Sequence, residues 1–418
     1  MFVYVINKHG EPFMPCSPRK ARRLLRAGKA RVIHRTPFTI PLLYGSAGYK
    51  QPVSLGVDAG TKPVGLSAAT EKQVLYEAEV LLRTDIQDLL SSRRAFRRAR
   101  RNRKTRYRKP KFLNRKTQQG WLPPSIQNKR DAHIKVIRNV TKILPITKIL
   151  VEVAQFDIQK IKDFAIAGKE YQEGDQMGFW KVREYVLFRD EHTCQRGHGK
   201  SKDKILNVHH IESRKTGGNA PGNLMTLCDT CHDRIHRENL THSIKRTQES
   251  FRDATQMTVT RWFIYHGIQK AFSAVKLTYG YITKNTRITN AVDKSHMMDA
   301  RCISGHPLAH SPKHTLLIKQ VRGQNRQLPK ATLLKGGVRK ANKAPRYVFG
   351  YQLFDKVRYH GQECFVFGRR ASGYFDLRLL DGTKISAGVS YKKLTLIERA
   401  STLLIQTTKG GSGVSSSA

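Results

Sequence analysis

Runs of apolar residues between polar stretches predict three buried strands, two of which carry a single acid. Residues 52–58 form an apolar run that ends at Asp58, and residues 64–69 form a second run shortly after it. Residues 148–154 are a third apolar run, in which Glu152 is the acid. A single acid at a strand end usually caps a loop, so neither residue indicates a function by itself.

Helical patterns precede and follow these strands. In the basic N-terminal module, residues 1–50, Ser17 suits the N-cap, Pro18 suits the first turn, and Gly28 ends the pattern. The arginines of this helix fit either a solvated face or a phosphate-contacting surface, and the local sequence does not choose between the two. Residues 250–275 predict another helix. Its predicted apolar side consists of Phe251, Met257, Trp262 and Phe263.

The C-terminal quarter of the chain is predicted to be mainly β. Residues 347–398 alternate in short strands between turn signals such as Gly361 and Gly373, which is typical of a small sheet or barrel. The Lys- and Arg-rich residues 313–346 predict a linker that faces nucleic acid. The Gly- and Ser-rich end of the chain predicts a flexible tail over residues 401–418.

The net charge of the chain limits the kinds of molecule that it is expected to bind. The 418 residues include 77 Lys and Arg against 31 Asp and Glu, a net charge of +46. Such a chain repels itself unless an anion neutralises it, and polyphosphate is the obvious anion. A basic membrane-binding protein would need an amphipathic anchor or a long apolar run, and the sequence has neither. The first residues do not resemble a signal peptide, so we expect a cytoplasmic protein without a membrane partner.

Positive charge is densest in residues 84–116. Fourteen Arg or Lys residues and no acid occur between Arg93 and Lys116. A helix this cationic repels itself when free, so contact with nucleic acid would be needed to stabilise it. A disordered basic arm is the alternative. The basic residues that recur at helical spacing are Arg93, Arg94, Arg97, Arg98, Arg101 and Lys104.

A cluster of histidines and cysteines occupies residues 174–245. In chain order it comprises Cys194, His198, His209, His210, Asn223, Cys228, Cys231, His232 and His236. Together these residues resemble the HNH, or ββα-metal, nuclease family. The resemblance implies that His209 and His232 bind a divalent cation, Mg²⁺ or Mn²⁺. It also implies that His210 is the general base, a role that suits an imidazole near neutral pH.

Two further residues have subsidiary roles in this interpretation. Asn223 would orient the loop that carries the base, and His236, one helical turn beyond His232, is a weaker candidate ligand. A plain zinc ribbon is the alternative explanation of this segment. It would account for the cysteines but not for His209, His210, Asn223 and His232 in the order of the family.

The cysteines of this segment indicate a second, structural metal. Six cysteines at irregular spacing favour a reducing compartment over a disulfide framework. The resemblance implies a zinc site, to which Cys194, Cys228 and Cys231 would contribute. Gly197 stands where a further cysteine is expected, and this is the main departure from the family pattern. His198, one residue later, is the predicted fourth ligand.

The order of the acids along the chain is more specific evidence than any one acid alone. Asp58 and Glu152 are followed by His296-x-x-Asp299 at the start of a predicted helix, and this order resembles the RuvC-like branch of the RNase H fold. Cleavage of a phosphodiester by two metals needs carboxylates that converge on two cations about 4 Å apart. The resemblance implies that Asp58, Glu152 and Asp299 hold Mg²⁺ or Mn²⁺. His296, one helical turn before Asp299, would help to activate water.

The order of all the segments resembles the IscB family, the compact transposon-associated relatives of type II CRISPR effector nucleases, from residue 1 to about residue 400. It implies an α/β multidomain fold. An RNase H-like (RuvC) mixed sheet would be split by an arginine-rich bridge helix and an inserted HNH domain, with a small, mainly β C-terminal domain. The predicted domains are the N-terminal module 1–50, RuvC-like segments 51–83, 117–173 and 246–310, the bridge helix 84–116, the HNH domain 174–245, an RNA-binding and target-adjacent-motif domain 311–400, and the tail 401–418.

The resemblance also implies the activity and the partners. The chain would be an RNA-guided DNA endonuclease, acting as a monomeric ribonucleoprotein with a structured guide RNA and double-stranded DNA in the bacterial cytoplasm. The HNH site would cut the guide-paired strand, and the RuvC-like site would cut the displaced strand. The residues implied to grip the guide backbone are Arg93, Arg94, Arg97, Arg98, Arg101 and Arg103.

Two other classes of protein remain open at the level of sequence. A protein-only HNH endonuclease of the homing type would use the basic runs to grip DNA, would have Asp58 and Glu152 as scaffold residues, and would cut without RNA. A nucleic-acid-binding protein with inactive nuclease sites is the other class. The presence of all the expected catalytic residues argues against it.

Overall fold

The residues of the chain group into two compact units, one of Met1–Gln155 with Thr260–Ala418 and one of Phe156–Val259. The structure is a computed structural model. It describes residues 2–45, 47–101, 122–153, 181–197, 203, 205–212, 221–238, 252–323 and 345–409.

Strands and helices alternate along both units. In the described residues, the strands are β1 (Tyr4–Ile6), β2 (Thr39–Pro41), β3 (Ser54–Asp58), β4 (Pro63–Ala69), β5 (Val74–Leu81), β6 (Lys148–Val153), β7 (Leu206–His210), β8 (Leu224–Cys228), β9 (Val275–Tyr279), β10 (His314–Gln320), β11 (Lys356–Tyr359), β12 (Gln362–Arg369), β13 (Tyr374–Arg378), β14 (Lys384–Ser390), β15 (Thr395–Glu398) and β16 (Leu403–Lys409). The helices are α1 (Pro18–Arg26), α2 (Ile86–Arg101), α3 (Pro124–Thr141), α4 (Val182–Arg189), α5 (Asp229–Glu238), α6 (Arg252–Ala271), α7 (Gly280–Thr289) and α8 (His296–Ser304).

The N-terminal module consists of α1 and the parallel pair β1–β2. The predicted start of α1 is confirmed, because Pro18 is its first residue and the Ser17 hydroxyl accepts a hydrogen bond from the Lys20 N–H (3.4 Å). The apolar side of the module is closed by a small buried cluster. Its members are Val3, Val5, Phe13, Ala21, Ala30, Ile40 and Leu42.

A mixed seven-stranded sheet is the centre of the first unit, and it confirms the predicted mixed α/β class. Its strand order is β16-β10-β5-β4-β3-β6-β9. Strands β3, β4 and β5 form an antiparallel meander, while β6 is parallel to β3 and β9 is parallel to β6. The three strands of the meander are almost wholly buried. Residues separated by more than 200 positions therefore meet on one sheet.

Helix α8 lies directly on the meander because two glycines leave space for its backbone. A Cβ atom at Gly56 would lie 1.9 Å from the Ala300 carbonyl oxygen, and one at Gly65 would lie 1.8 Å from the His296 carbonyl oxygen. The helix starts at a Ser295 N-cap, whose hydroxyl accepts from the Met298 N–H (3.2 Å). This contact places the first turn of α8 over the end of β3.

Residues 356–398 form a separate five-stranded antiparallel sheet, with strand order β14-β13-β12-β11-β15. The boundaries predicted from sequence are wrong on both sides of it. Strand β10, which was assigned to the domain 311–400, pairs with β5 of the large sheet, and residues Leu403–Lys409 of the predicted tail form β16 beside β10. Leu403 and Leu404 are buried in that pairing. The apolar pattern of residues 403–409 is too short to predict a strand next to the Gly- and Ser-rich end of the chain.

The described part of the second unit is built around a hairpin. Strands β7 and β8 pair antiparallel, α4 precedes them, and α5 follows β8 without a loop. Asp190, at the end of α4, accepts a hydrogen bond from the Thr226 N–H of β8 (2.8 Å) and so joins the helix to the hairpin. This arrangement brings His209 of β7 next to His232 and His236 of α5.

Two of the predicted helices are confirmed only in part. Helix α2 covers the first half of the arginine-rich segment, and residues 102–121 lie outside the described part of the chain. Helix α6 matches the predicted one, but Trp262 is 42% exposed and does not belong to the buried side. The side chains of Phe251 and Met257 lie outside the described residues. Every helix among the described residues is too short or too polar to cross a membrane.

Candidate metal centres

The sheet brings three predicted residues of the acidic site together. Asp58, the last residue of β3, is directly paired with Glu152 on β6, so their side chains share one face of the sheet. The His296 Nδ1–H donates to an Asp58 carboxylate oxygen (2.6 Å), which links the first turn of α8 to the end of β3. Asp299 is one turn further along α8. Its negative charge acts on both Glu152 and His296.

Helix α7 supplies two partners for these acids that the sequence analysis did not identify. The Thr283 hydroxyl donates to a Glu152 carboxylate oxygen. One helical turn later, the Arg287 Nε lies 3.2 Å from an Asp299 carboxylate oxygen. Gly280 begins the helix, and a Cβ atom there would lie 3.2 Å from Glu152 Oε1. The strand-to-helix turn at Gly280 therefore lets the backbone approach the carboxylate closely.

The electrostatics of this site favour a bound cation. Burial, together with the negative charges of Asp58 and Asp299, raises the pKa of Glu152 to about 7. Burial and Asp58 also raise the pKa of Asp299, in spite of Arg287. The hydrogen bond that His296 donates to Asp58 is the main cause that raises the pKa of His296. Carboxylates that repel one another in this way bind divalent cations through oxygen, so the residues fit Mg²⁺ or Mn²⁺.

A fourth acid faces the same site and was missed from sequence. Glu79 on β5 is paired with Gly65, which is paired in turn with Asp58. The Glu79 side chain is buried, and burial raises its pKa, while His296 and Asp58 act on it with opposite signs. Sequence offered no signal for it, because only the register of β3, β4 and β5 places Glu79 in the row of Asp58.

In the second unit, three histidines form a compact cluster. The ligand atoms of His209, His232 and His236 lie within 4.8 Å of one another, and the Nε2 atoms of His232 and His236 are 3.3 Å apart. His209 Nε2 is buried without a hydrogen-bond partner among the described residues. A buried ring nitrogen that has no hydrogen-bond partner and lies close to two other ring nitrogens is suited to bind a cation. His236, which was ranked below the other two, is a full member of the cluster.

Neighbouring side chains keep His209 neutral and hold the loop after His210 in place. Burial, with the nearby His236 and His232, lowers the pKa of His209 to about 4, so its ring is neutral and able to ligate near pH 7. His210 is the next residue on β7 and points to the opposite face of the hairpin. Asn223 is fully buried, and its amide bonds the backbone N–H (2.8 Å) and carbonyl (3.0 Å) of Glu212. It thus fixes the turn that follows His210.

The three cysteines predicted to hold zinc are also brought together. Cys194, Cys228 and Cys231 place their sulfur atoms within 4.8 Å of one another. The Gly197 N–H donates to Cys194 Sγ (3.3 Å), and a Cβ atom at Gly197 would lie 3.6 Å from Cys194 Sγ and 3.8 Å from Cys231 Sγ. Gly197 therefore occupies the position from which a fourth thiolate would complete the set. His198, the predicted substitute, lies outside the described residues.

The basic residues predicted to contact RNA lie only partly within the described residues. Arg93, Arg94, Arg97 and Arg98 are exposed on α2. Arg101 belongs to the last described turn of that helix, where side chains are not described, and Arg103 lies beyond it. The described helix thus presents four guanidinium groups to solvent, none of which forms an ion pair with another described residue.

Comparisons with known proteins identify two segments of the chain as similar to known families. Residues 3–174 match the family described as RRXRR protein, and residues 192–238 match the family described as HNH endonuclease. A solved structure, Cas9 of Streptococcus thermophilus in complex with AGGA PAM, aligns with 50% of this chain at 12% identity and a TM-score of 0.30. The alignment spans 30% of that Cas9 chain, and a likeness this distant supports no argument.

No curated protein sequence matches the chain. The family assignment therefore depends on the two segment matches, which follow each other in the predicted order. An RRXRR segment followed by an HNH endonuclease domain confirms the resemblance to the IscB and Cas9-like nucleases.

Proposed function

We propose that the protein is an RNA-guided DNA endonuclease with two independent cleavage sites. The observation behind this proposal is that Asp58, Glu152 and Asp299 interact with one another in the first unit, while three histidines form a compact ligand cluster in the second. The matched RRXRR and HNH segments and the net charge of +46 are consistent with it. Each cluster is expected to cut one strand of a DNA duplex opened by a guide RNA.

The acidic site would be the RuvC-like centre and would cut the displaced strand. The order β5-β4-β3-β6-β9, antiparallel in the meander and parallel beyond it, supports an RNase H-like sheet. Asp58, Glu152 and Asp299 would hold two divalent cations, which supply activation of water and neutralise charge on the phosphate. His296 would accept the proton of the attacking water, because its imidazole is held at the edge of the carboxylates.

The histidine site would cut the guide-paired strand. His209, His232 and His236 would hold one divalent cation, which stabilises the negative charge that develops on the leaving oxygen. His210 would be the general base that takes a proton from water. Asn223 would keep the backbone after His210 in place through its two hydrogen bonds to Glu212. The division of labour follows from the alternation of β7, which directs ligand and base to opposite faces.

The thiol cluster would have a structural role. Burial, with hydrogen bonds among the thiols of Cys228 and Cys194, raises the pKa of Cys231 to about 12, so this thiol is protonated when no metal is bound. Cys194, Cys228 and Cys231 would hold zinc as thiolates, which requires Cys231 to release its proton to solvent. The fourth position, left open by Gly197, would be taken by His198. Such a site would fix the start of the hairpin relative to α5.

The guide-dependent part of the proposal is tested by the RNA that accompanies the protein. The chain would be expressed with its native flanking DNA and purified through high salt, and the RNA that remains bound would be sequenced. We expect one discrete, structured RNA with a variable end, which then defines a DNA target. Heterogeneous fragments, together with DNA cutting that survives RNase treatment, would instead identify a protein-only HNH endonuclease.

A further inference from the structure

Glu79 is a buried carboxylate for which the proposed function has no role. Its side chain is only 9% exposed, and it forms no hydrogen bond or ion pair with any residue in the described part of the chain. Glu77, two residues earlier on the same face of β5, is paired with Arg301 (2.6 Å). An unpaired charge in a buried position is destabilising, so a position that keeps one is a candidate for function.

The sheet register directs Glu79 toward the acidic site. Asp58, Gly65 and Glu79 are paired residue to residue across β3, β4 and β5, so their side-chain positions lie in one row on one face. Gly65, in the middle, has no side chain, and the first turn of α8 fills that space with the His296 backbone. His296 therefore lies over the row, with Asp58 on one side and Glu79 on the other.

Electrostatics agree with this placement. The hydrogen bond that His296 donates to Asp58 is the largest cause of the raised pKa of His296, and the charge of Glu79 contributes to it, while burial raises the pKa of Glu79 and His296 in turn lowers it. The two groups are therefore close enough to interact through charge. A carboxylate beside an imidazole commonly fixes the orientation of the ring, as in catalytic triads.

Asp58 has two tasks that compete. Its carboxylate accepts the His296 Nδ1–H at 2.6 Å, and the same carboxylate is needed to hold cations. Once its oxygens are engaged by cations, they accept a hydrogen bond from the imidazole less well. The imidazole then needs another acceptor, and Glu79 is the remaining carboxylate in its row that has no partner among the described residues.

We propose that Glu79 is a positioning residue, which accepts the His296 N–H and fixes the imidazole when Asp58 is engaged by cations. This inference rests on the proposed function of the acidic site. It assigns Glu79 to the proton-transfer side of that site and not to its metal ligands.

The first test is strand-resolved cleavage by Glu79→Gln. Guide-loaded full-length protein would be given a matched DNA duplex with a different label on each strand. We expect cutting of the displaced strand to fall 10- to 100-fold, because an uncharged amide accepts the His296 N–H less strongly than a carboxylate and can present its NH2 group instead, so the ring is held less well in its required orientation. Cutting of the guide-paired strand, which uses the second unit, should be unchanged. Wild-type rates on both strands would overturn the inference.

A double-mutant cycle separates an effect through His296 from a direct one. If Glu79 acts through the imidazole, Glu79→Gln should add no further loss to His296→Ala. Independent, multiplying losses in the double variant would overturn the inference, because Glu79 would then act elsewhere in the reaction.

Two further measurements do not depend on activity. Glu79→Gln should unfold at the same temperature as the wild type or higher, since a buried unpaired charge is removed, and Mg²⁺ should raise its unfolding temperature as it does for wild type. Glu77→Gln is the matched control on the same strand face, and its unfolding temperature should fall because Arg301 loses its partner. A lower unfolding temperature for Glu79→Gln, or loss of its Mg²⁺ response, would overturn the positioning role.

Failure of this inference is distinguishable from failure of the proposed function. Asp58→Ala should abolish cutting of the displaced strand if the acidic site is a nuclease centre. Persistence of that cut would overturn both proposals. Loss of the cut in Asp58→Ala with a wild-type rate in Glu79→Gln would overturn only the role of Glu79. Glu79→Met, which is similar in length and has no acceptor, provides a second variant for the same comparison.

Discussion

At the scale of single residues, burial prepares the two centres differently for a cation. The pKa of His209 is lowered to about 4, so its ring is already neutral at pH 7 and binds a cation without losing a proton. The pKa of Glu152 is raised to about 7, so a proton competes with the cation there near neutrality. The two centres should therefore respond differently to pH.

We predict that the Mg²⁺ requirement of displaced-strand cutting depends on pH. Glu152 is protonated below about pH 7 and must lose that proton to bind a cation, so the apparent Mg²⁺ affinity should fall about tenfold per pH unit below 7. The half-saturating Mg²⁺ concentration would be measured at pH 6 and pH 8 in His210→Ala, which retains the acidic site. Equal concentrations at both pH values would contradict the account of Glu152.

A second residue-scale prediction separates a ligand from a base. His209→Ala should abolish cation binding by the histidine cluster, while His210→Ala should leave it intact. Both should slow cutting of the guide-paired strand by about 100-fold or more. Mn²⁺ binding to the two variants, followed by electron paramagnetic resonance, makes the distinction. Loss of the histidine-bound Mn²⁺ signal in His210→Ala would contradict the assignment of His210 as the base.

At the scale of elements, the contact between α8 and the sheet holds the acidic site together. Gly65→Ala would place a Cβ atom of β4 1.8 Å from the His296 carbonyl oxygen, so α8 must move away from β4. We expect a loss of about 1–3 kcal/mol in the free energy of unfolding and a large loss of displaced-strand cutting. Gly388→Ala is the control, since no atom lies within 4 Å of its added Cβ. Equal effects of the two substitutions would contradict the role of this contact.

Helix α2 supports a separate prediction about phosphate contacts. Replacing its exposed Arg93, Arg94, Arg97 and Arg98 with alanine should weaken binding to a structured RNA hairpin. The slope of log affinity against log salt should decrease by about three, since each lost phosphate contact removes somewhat less than one unit. The fourfold Arg→Lys variant keeps the charges and should keep the slope. An unchanged slope in the alanine variant would show that α2 does not contact phosphate.

The sequence predicted individual strands and helices better than it predicted which of them lie beside one another. The strands that end at Asp58 and carry Glu152, and the N-cap of α1 at Ser17, could be located because local patterns define them. Glu79 and the partner Thr283 could not, since their roles depend on the pairing of distant strands and on the placement of α7. Strand β16 was assigned to the tail for the same reason.

The motif residues of the second unit were easier to predict because a short hairpin and helix hold them. His209 and His232 are 23 positions apart, and no distant strand is needed to bring them together. His236 was undervalued, although its helical spacing from His232 already placed it on the same side of α5. Residue type and spacing therefore predicted most of this cluster, whereas the acidic site required the whole sheet.

At the scale of the whole molecule, the two proposed cation sites belong to two separately compact units of one strongly basic chain. The basic charge suits a large polyanion, and the two sites suit two scissile phosphates. Independence of the sites is thus the central claim. It means that the loss of one centre should leave the strand cut by the other centre unaffected.

The measurement that tests this claim most directly is strand-resolved cleavage of a guide-matched DNA duplex by three variants. Asp58→Ala should cut only the guide-paired strand, His210→Ala should cut only the displaced strand, and the double variant should cut neither while still binding the duplex. If either single substitution abolished both cuts under saturating guide RNA, the account of two independent centres would be wrong.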